Sequence, residues 1–568
     1  MAAYHSYFVA LSIFLLFASK AAAKASNHPF VTILNKTYEG ISTTLLTEEF
    51  RGIRYGQSPT GGLRFTRPQP FDPTGRIDAR HYGPGCPQGL QYTTEESQDE
   101  DCLFLNIVRP SLRSKEPLPV ICWLHGGAYR TGQASLYNGT ALVSQSIQLG
   151  LPVIYVGINY RLNGFGFLAS SKLLQSGDVN LGLHDQELAL RWISRNIAWF
   201  GGNKDRITLF GESAGSAETW AHIVRQERSA ESLFQGAALI SGAPGGIWPH
   251  VDDAALYDAA FQNLVDTTGC RSATNEVDCL RRQDFKKLDN IFNGINSTWE
   301  KSFKYSIGIV KDEYWFNSSA WQSLIDQKFA DLPLLVGYNH DEGTRLYDCT
   351  HQSMQAIDLI RDAAYAFNDS TLQWALSLYA TYLEILNISL IDVTAGGRYA
   401  SSSNQITTFF YTDLYFASGV QKVLDVVSKS QNIWGYRFDQ MPPYSAINLS
   451  YGYPGTSVAK AACMGTYHSS MLSYLFGDVQ SLVDATVYDK RLSKFIMEGW
   501  LSFATYGYPK IQNSTQFTWD PYNYQGKILD LKLNKDAKPT MLKNVFREKS
   551  LALISKKVSE SQELYTPV

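Results

Sequence analysis

The sequence predicts an α/β protein: a large, mostly parallel central sheet covered by helices on both faces. Three observations predict it. Short apolar runs alternate with stretches of helical spacing, the pattern of a parallel sheet with helical crossovers. One run, Ile207 to Phe210, passes through the tight turn Gly211-Glu212-Ser213-Ala214-Gly215 into a helix. Two long stretches, about 245 to 330 and 346 to 460, separate the later strands and read as helical insertions.

In chain order, Tyr7 to Ala18 is one apolar run, followed by small-x-small cleavage sites around residues 23 to 25. This is the pattern of a secretory signal peptide over residues 1–23, although its first residues carry no Lys or Arg. The run is shorter than the roughly 20 apolar residues a membrane span needs. Residues 26–568 read as a single domain, with no repeat or linker. Glu100 to Asn106 leads into an alternating strand. Val120 to Leu124 is a buried strand ending in His125-Gly126-Gly127-Ala128-Tyr129, where small residues let backbone N–H groups face a ligand. Val153 to Ile158 is a further strand. Leu183 to Phe200 has helical spacing, with Leu188, Trp192, Ile193 and Ile197 on one stripe. Ala237 to Ile240 and Leu334 to Val336 are short apolar strands.

The chain has 568 residues, 44% of them hydrophobic, and a formal net charge of -3. That is enough apolar material for a large core, and the balance gives no reason to expect nucleic acid or an anionic membrane as partner. Eight Asn-x-Ser/Thr sequons occur, at Asn35, Asn138, Asn296, Asn317, Asn368, Asn387, Asn448 and Asn513. With the leader they point to a secreted glycoprotein. Seven cysteines then suit an oxidising compartment and leave at least one unpaired. Cys122, inside a buried strand, is the candidate for the free thiol. No metal-ligand spacing and no dinucleotide fingerprint is present, so neither a metal nor a cofactor is expected.

The Gly-x-Ser-x-Gly frame around Ser213 is the nucleophile elbow, in which only small residues fit two before and two after the serine. A chain of this length has roughly a one-in-five chance of a stray copy at ordinary glycine usage. The frame therefore counts only with its strand-before, helix-after context and with partners elsewhere.

Those partners come with a resemblance. Phe50-Arg51-Gly52-Ile53, Glu100-Asp101-Cys102-Leu103, His125-Gly126-Gly127-Ala128, Asn159-Tyr160-Arg161-Leu162, Gly182-Leu183-His184-Asp185-Gln186, Gly211-Glu212-Ser213-Ala214-Gly215, Asp341-Glu342-Gly343 and Gly465-Thr466-Tyr467-His468 occur in one order. In these blocks the chain resembles the type-B carboxylesterase/lipase family of α/β-hydrolases, from about residue 30 to residue 535. The resemblance implies a Ser213–His468–Glu342 triad in the order Ser, Glu, His. It implies a small-molecule ester as substrate and insertions that roof the active site. Asp341 competes with Glu342 for the acid, and the family match alone favours Glu342. The backbone N–H groups of Gly127, Ala128 and Ala214 are the implied oxyanion hole; many members have glycine where Ala128 stands.

The resemblance also implies disulfides Cys86–Cys102 and Cys270–Cys279, and ion pairs Arg64–Glu100 and Arg161–Asp185. Cys349 and Cys463 lie near Glu342 and His468 in sequence, so meeting of those two loops would bring the thiols together. Three readings follow: a secreted serine carboxylesterase, a true lipase or sterol esterase, and a non-catalytic binding protein of the same fold. The loop between Cys86 and Cys102 carries five acids in its last seven positions and lacks the apolar face of an interfacial flap. It points to an open pocket and to soluble short- to medium-chain esters.

Overall fold

The computed structural model describes residues 28–88, 97–244, 254–293, 307–346, 349, 376–383, 402–447, 457–511, 517–535, 537–544 and 547–563. The leader, the sequons at Asn296, Asn368, Asn387, Asn448 and Asn513, and residues 89–96 of the Cys86–Cys102 loop lie outside them. Asn35, Asn138 and Asn317 are exposed.

Fourteen strands are described: β1 (Phe30–Ile33), β2 (Lys36–Glu39), β3 (Ile41–Ser42), β4 (Thr47–Arg54), β5 (Gly75–Asp78), β6 (Phe104–Pro110), β7 (Leu118–Leu124), β8 (Ile154–Ile158), β9 (Gly202–Glu212), β10 (Gly236–Ile240), β11 (Leu334–Asn339), β12 (Ile433–Phe438), β13 (Lys527–Leu531) and β14 (Thr540–Lys543). β1, β2 and β5 form a small sheet that the sequence reading did not foresee. The other eleven form one sheet in the order β14-β13-β12-β11-β10-β9-β7-β8-β6-β4-β3. From β8 to β13 neighbours run parallel, and antiparallel pairs close both ends.

The continuous apolar runs of the central strands follow from burial on both faces. In β7, Val120, Cys122 and Leu124 enter one core while Ile121 and Trp123 enter the other. Two expectations need correction. β6 does not alternate: all but its first residue are buried. Even Arg109 is covered, paired with Glu48 and lying over the Phe50 ring. The stretch 346 to 460 is not all insertion, since β12 inside it is a central strand paired with β11. The helix expected over Leu183 to Phe200 starts at Leu181 and tightens to a 3-10 turn at Ile197–Phe200.

Three disulfides join Cys86 to Cys102, Cys270 to Cys279 and Cys349 to Cys463. Cys122 is the buried free thiol. The Arg64–Glu100 and Arg161–Asp185 pairs are both present and buried, at 2.6 and 2.7 Å. A third buried pair, Asp413–Arg547 at 2.8 Å, was not foreseen. Among the described residues no helix is long and apolar enough to cross a membrane.

Candidate active site

The site forms where parallel strands end, at the carboxyl edge of the sheet, the usual location in open α/β sheets. β9 delivers Ser213, its neighbour β7 delivers the His125–Tyr129 loop, and β11 delivers Glu342.

Ser213 stands between β9 and the helix Ala214–Glu227, with φ 56° and ψ -122°. That left-handed backbone stores strain of order 1–3 kcal/mol and lifts the side chain out of the turn. The flanking glycines are required by contact. A Cβ on Gly211 would lie 2.1 Å from the Gly215 carbonyl oxygen, and one on Gly215 would lie 2.3 Å from that of Leu124. The turn is also tied to the next strand, because Ser213 N–H donates to the Ile240 carbonyl at 2.9 Å.

His468 Nε2 lies 2.8 Å from Ser213 Oγ, and His468 Nδ1 lies 2.6 Å from Glu342 Oε2. Glu342 is fully buried, and its other oxygen accepts the Asn339 N–H at 2.6 Å. Asp341 is engaged elsewhere: it meets His340 Nδ1 at 2.7 Å and accepts the Thr466 N–H at 2.9 Å and hydroxyl at 3.0 Å. The structure thus brings Glu342, and not Asp341, to His468. Thr344 donates to the Met464 carbonyl and Asn339 to the Tyr467 carbonyl, both at 2.8 Å, so the two loops are stitched along their length.

The loop after β7 turns through positive φ at Gly127, Ala128 and Tyr129. A Cβ on Gly126 would meet Glu212 Oε2 at 2.4 Å, which is how closely this loop approaches the elbow. Among the described residues, no protein acceptor takes the N–H of Gly127, Ala128 or Ala214.

Two neighbours were missed from the sequence. Glu212, inside the elbow frame itself, is 2% exposed, accepts the Ser469 hydroxyl at 2.7 Å and lies 3.5 Å from His468 Nε2. Burial raises its pKa, and the nearby His468 only partly opposes that. Phe416 packs its ring 4.6 Å from the His468 ring, from a π-helical turn over Asp413–Ala417. Such turns cluster at functional sites, but an apolar helical residue carries no mark of that role in sequence. Among the described residues no cluster of His, Cys, Asp and Glu is arranged to hold a metal.

A profile of the carboxylesterase family matches residues 32–552. The chain belongs to that family. It is 32% identical over 361 residues to Lipase 2 of Diutina rugosa, an alignment taking in 58% of this carboxylesterase-family chain and 64% of that lipase. The chain therefore aligns with less than two thirds of that relative. It is 29% identical over 512 residues to the para-nitrobenzyl esterase of Bacillus subtilis strain 168, covering 86% of this chain and 93% of that one. The crystal structure of Aspergillus niger EstA superposes with a TM-score of 0.75 at 26% identity, over 95% of this chain and 99% of that one. This confirms the α/β-hydrolase architecture of the sheet.

Proposed function

We propose that the protein hydrolyses carboxylic esters through a Ser213–His468–Glu342 triad and an acyl-enzyme. The carrying observation is the unbroken contact from Ser213 Oγ to His468 Nε2 and from Nδ1 to Glu342. A serine hydroxyl is a weak nucleophile without a base in reach. His468 takes the Oγ proton as the oxygen attacks the ester carbon, then returns it to the departing alcohol. Glu342 fixes the tautomer with the proton on Nδ1 and stabilises the imidazolium. The N–H groups of Gly127, Ala128 and Ala214 receive the developing oxyanion, each such donor being worth about 3 kcal/mol of transition-state stabilisation. Water, activated by His468, then releases the acid. The chemistry needs no metal and no cofactor.

The substrates are soluble short- to medium-chain esters, in keeping with the acidic loop between Cys86 and Cys102. The lipase names among the relatives favour a second reading, a true lipase or sterol esterase acting at a lipid surface. The protein is secreted and glycosylated after removal of residues 1–23, leaving one catalytic domain over 26–568. Three disulfides and the exposed Asn35, Asn138 and Asn317 support this. An ester panel graded by acyl length, followed through each ester's solubility limit, tests the substrate class. Smooth saturation below the limit is expected; a jump in rate on emulsification would favour the lipase. No release of alcohol from any chromogenic ester in the panel, as a burst or in steady state, would favour the binding-protein reading.

A further inference from the structure

Behind the oxyanion loop sits a carboxyl that the triad chemistry does not use. Glu218 lies on the elbow helix, five residues past Ser213, and is 0% exposed. Among the described residues no Lys or Arg pairs with it, and neither of its oxygens has a partner in good hydrogen-bond geometry. Its carboxyl faces the Tyr160 hydroxyl and the Gln186 side chain. A charged carboxylate buried this way, without a cation, is strongly disfavoured.

The neighbours fix where the proton belongs. Tyr160 Oη donates its only hydrogen to the His125 carbonyl at 2.6 Å, and its ring stacks on the His125 ring at 4.4 Å. Toward Glu218 the tyrosine oxygen can therefore only accept, and a carboxylate there would set lone pairs against lone pairs. On the other side, Gln186 Oε1 is 3.0 Å from His222 Nε2, which makes the histidine the donor and turns the unpartnered Gln186 Nε2 toward Glu218. One direction of donation suits all four groups. His222 donates to Gln186 and Tyr160 to the His125 carbonyl; between these two bonds, a small shift would let Gln186 Nε2 donate to one Glu218 oxygen and a Glu218 hydroxyl donate to Tyr160. Burial acts in the same sense, holding the Glu218 pKa well above the ordinary carboxylate value.

His125 opens the segment that carries Gly127 and Ala128, the proposed oxyanion donors, and its next residue, Gly126, presses on Ser213. We propose that Glu218 is held as an uncharged carboxylic acid and, through Tyr160, is a positioning residue for the oxyanion loop. The inference rests on the esterase reading and adds a residue outside the triad. Through Tyr160 this arrangement anchors the His125 carbonyl, two residues before Gly127.

The test is steady-state hydrolysis of para-nitrophenyl butyrate by the wild type and by Glu218→Gln, Glu218→Leu, Tyr160→Phe and the Glu218→Leu/Tyr160→Phe pair. Glutamine keeps both a donor and an acceptor and should leave kcat within about twofold. Glu218→Leu and Tyr160→Phe should each lower kcat about tenfold with KM unchanged, and the pair should be no worse than Tyr160→Phe alone, because both act through one hydroxyl. Loss in Glu218→Gln as large as in Glu218→Leu, or independent multiplying losses in the pair, would overturn the proposal. Should Glu218→Leu not fold, the infrared difference between wild type and Glu218→Gln decides: a protonated-carboxyl C=O band near neutral pH is expected, and carboxylate bands in its place would overturn it. An inactive wild type would instead count against the esterase reading and leave the infrared result to judge Glu218 separately.

Discussion

Ser213 and His468 lie 2.8 Å apart, yet their two sides of the site are held differently. On the serine side the backbone itself is the device. The residue sits at φ 56°, and glycine Cα atoms press on carbonyl oxygens closer than any side chain could. On the histidine side, hydrogen bonds cross between two loops, and Cys349–Cys463 adds a covalent tie. The first arrangement leaves no room for an added atom. The second has several links, so losing one leaves the others. The experiments below separate the two kinds of construction.

The largest effect belongs to the reacting groups. Ser213→Ala, His468→Ala and Glu342→Gln should each cut turnover steeply, by roughly 10⁴-fold or more, with the fold retained in circular dichroism. Combining them should add little, because the three act as one unit. A Gly215→Ala variant probes the serine side. Its Cβ meets backbone, which cannot swing aside, so activity should fall more than 100-fold or the protein should not fold. A soluble, near-fully active Gly215→Ala protein would break the comparison.

The disulfide comes next. Cys349 and Cys463 are 114 residues apart in sequence, against 9 for Cys270 and Cys279. The chain-entropy account assigns about 4.7 kcal/mol to closing a loop near 100 residues and about 3 kcal/mol or less to the short one. Cys349→Ser/Cys463→Ser should therefore lower the urea midpoint more than Cys270→Ser/Cys279→Ser does. Its kcat should stay within about threefold, since the hydrogen bonds between the loops survive.

The buried histidines make a distinct contribution to the pH dependence of stability. Burial lowers the pKa of His125 to about 4 and of His184 and His222 to about 3. The unfolded chain takes up these protons near pH 6.5, before the folded protein does. Their contribution is thus complete above that value and is lost as pH falls, by about 1.4 kcal/mol per pH unit for each group. Asp413 and Asp478, raised to about 6 by burial, act in the opposite sense between pH 6 and 4, and the buried Glu212 and Glu218, also raised, act with them. His222→Gln keeps a donor toward Gln186 and should flatten the denaturation slope between pH 6.5 and 4 by one proton. An unchanged slope would mean that His222 is not buried neutral.

The smallest effect is that of Asn339→Ala. It removes one stitch, the 2.8 Å bond to the Tyr467 carbonyl, at a cost of about 1–3 kcal/mol of stability and less than tenfold in kcat.

Much of this was legible in the sequence because it depended on local pattern. β7 and the second half of β9, Ile207 to Phe210, are largely apolar runs, and the elbow requires glycine at two fixed positions. Glu342 over Asp341 was not legible in composition or spacing, because two adjacent acids differ only in which way the turn after β11 points them. Glu212 went unnoticed because its contact, Ser469, is 257 residues away. β12 hid inside a long stretch taken for insertion, since a six-residue strand between helices is a weak signal. The Asp413–Arg547 pair joins segments 134 residues apart, which no spacing rule links.

The most direct measurement is reaction with a fluorophosphonate ester followed by peptide mapping. A phosphonyl group replaces the acyl group on the activated oxygen and cannot be hydrolysed away quickly. The account predicts one equivalent bound, on Ser213, with loss of esterase activity in step and no labelling of a folded His468→Ala variant. Label on another residue, or full ester hydrolysis by protein carrying the label on Ser213, would contradict it.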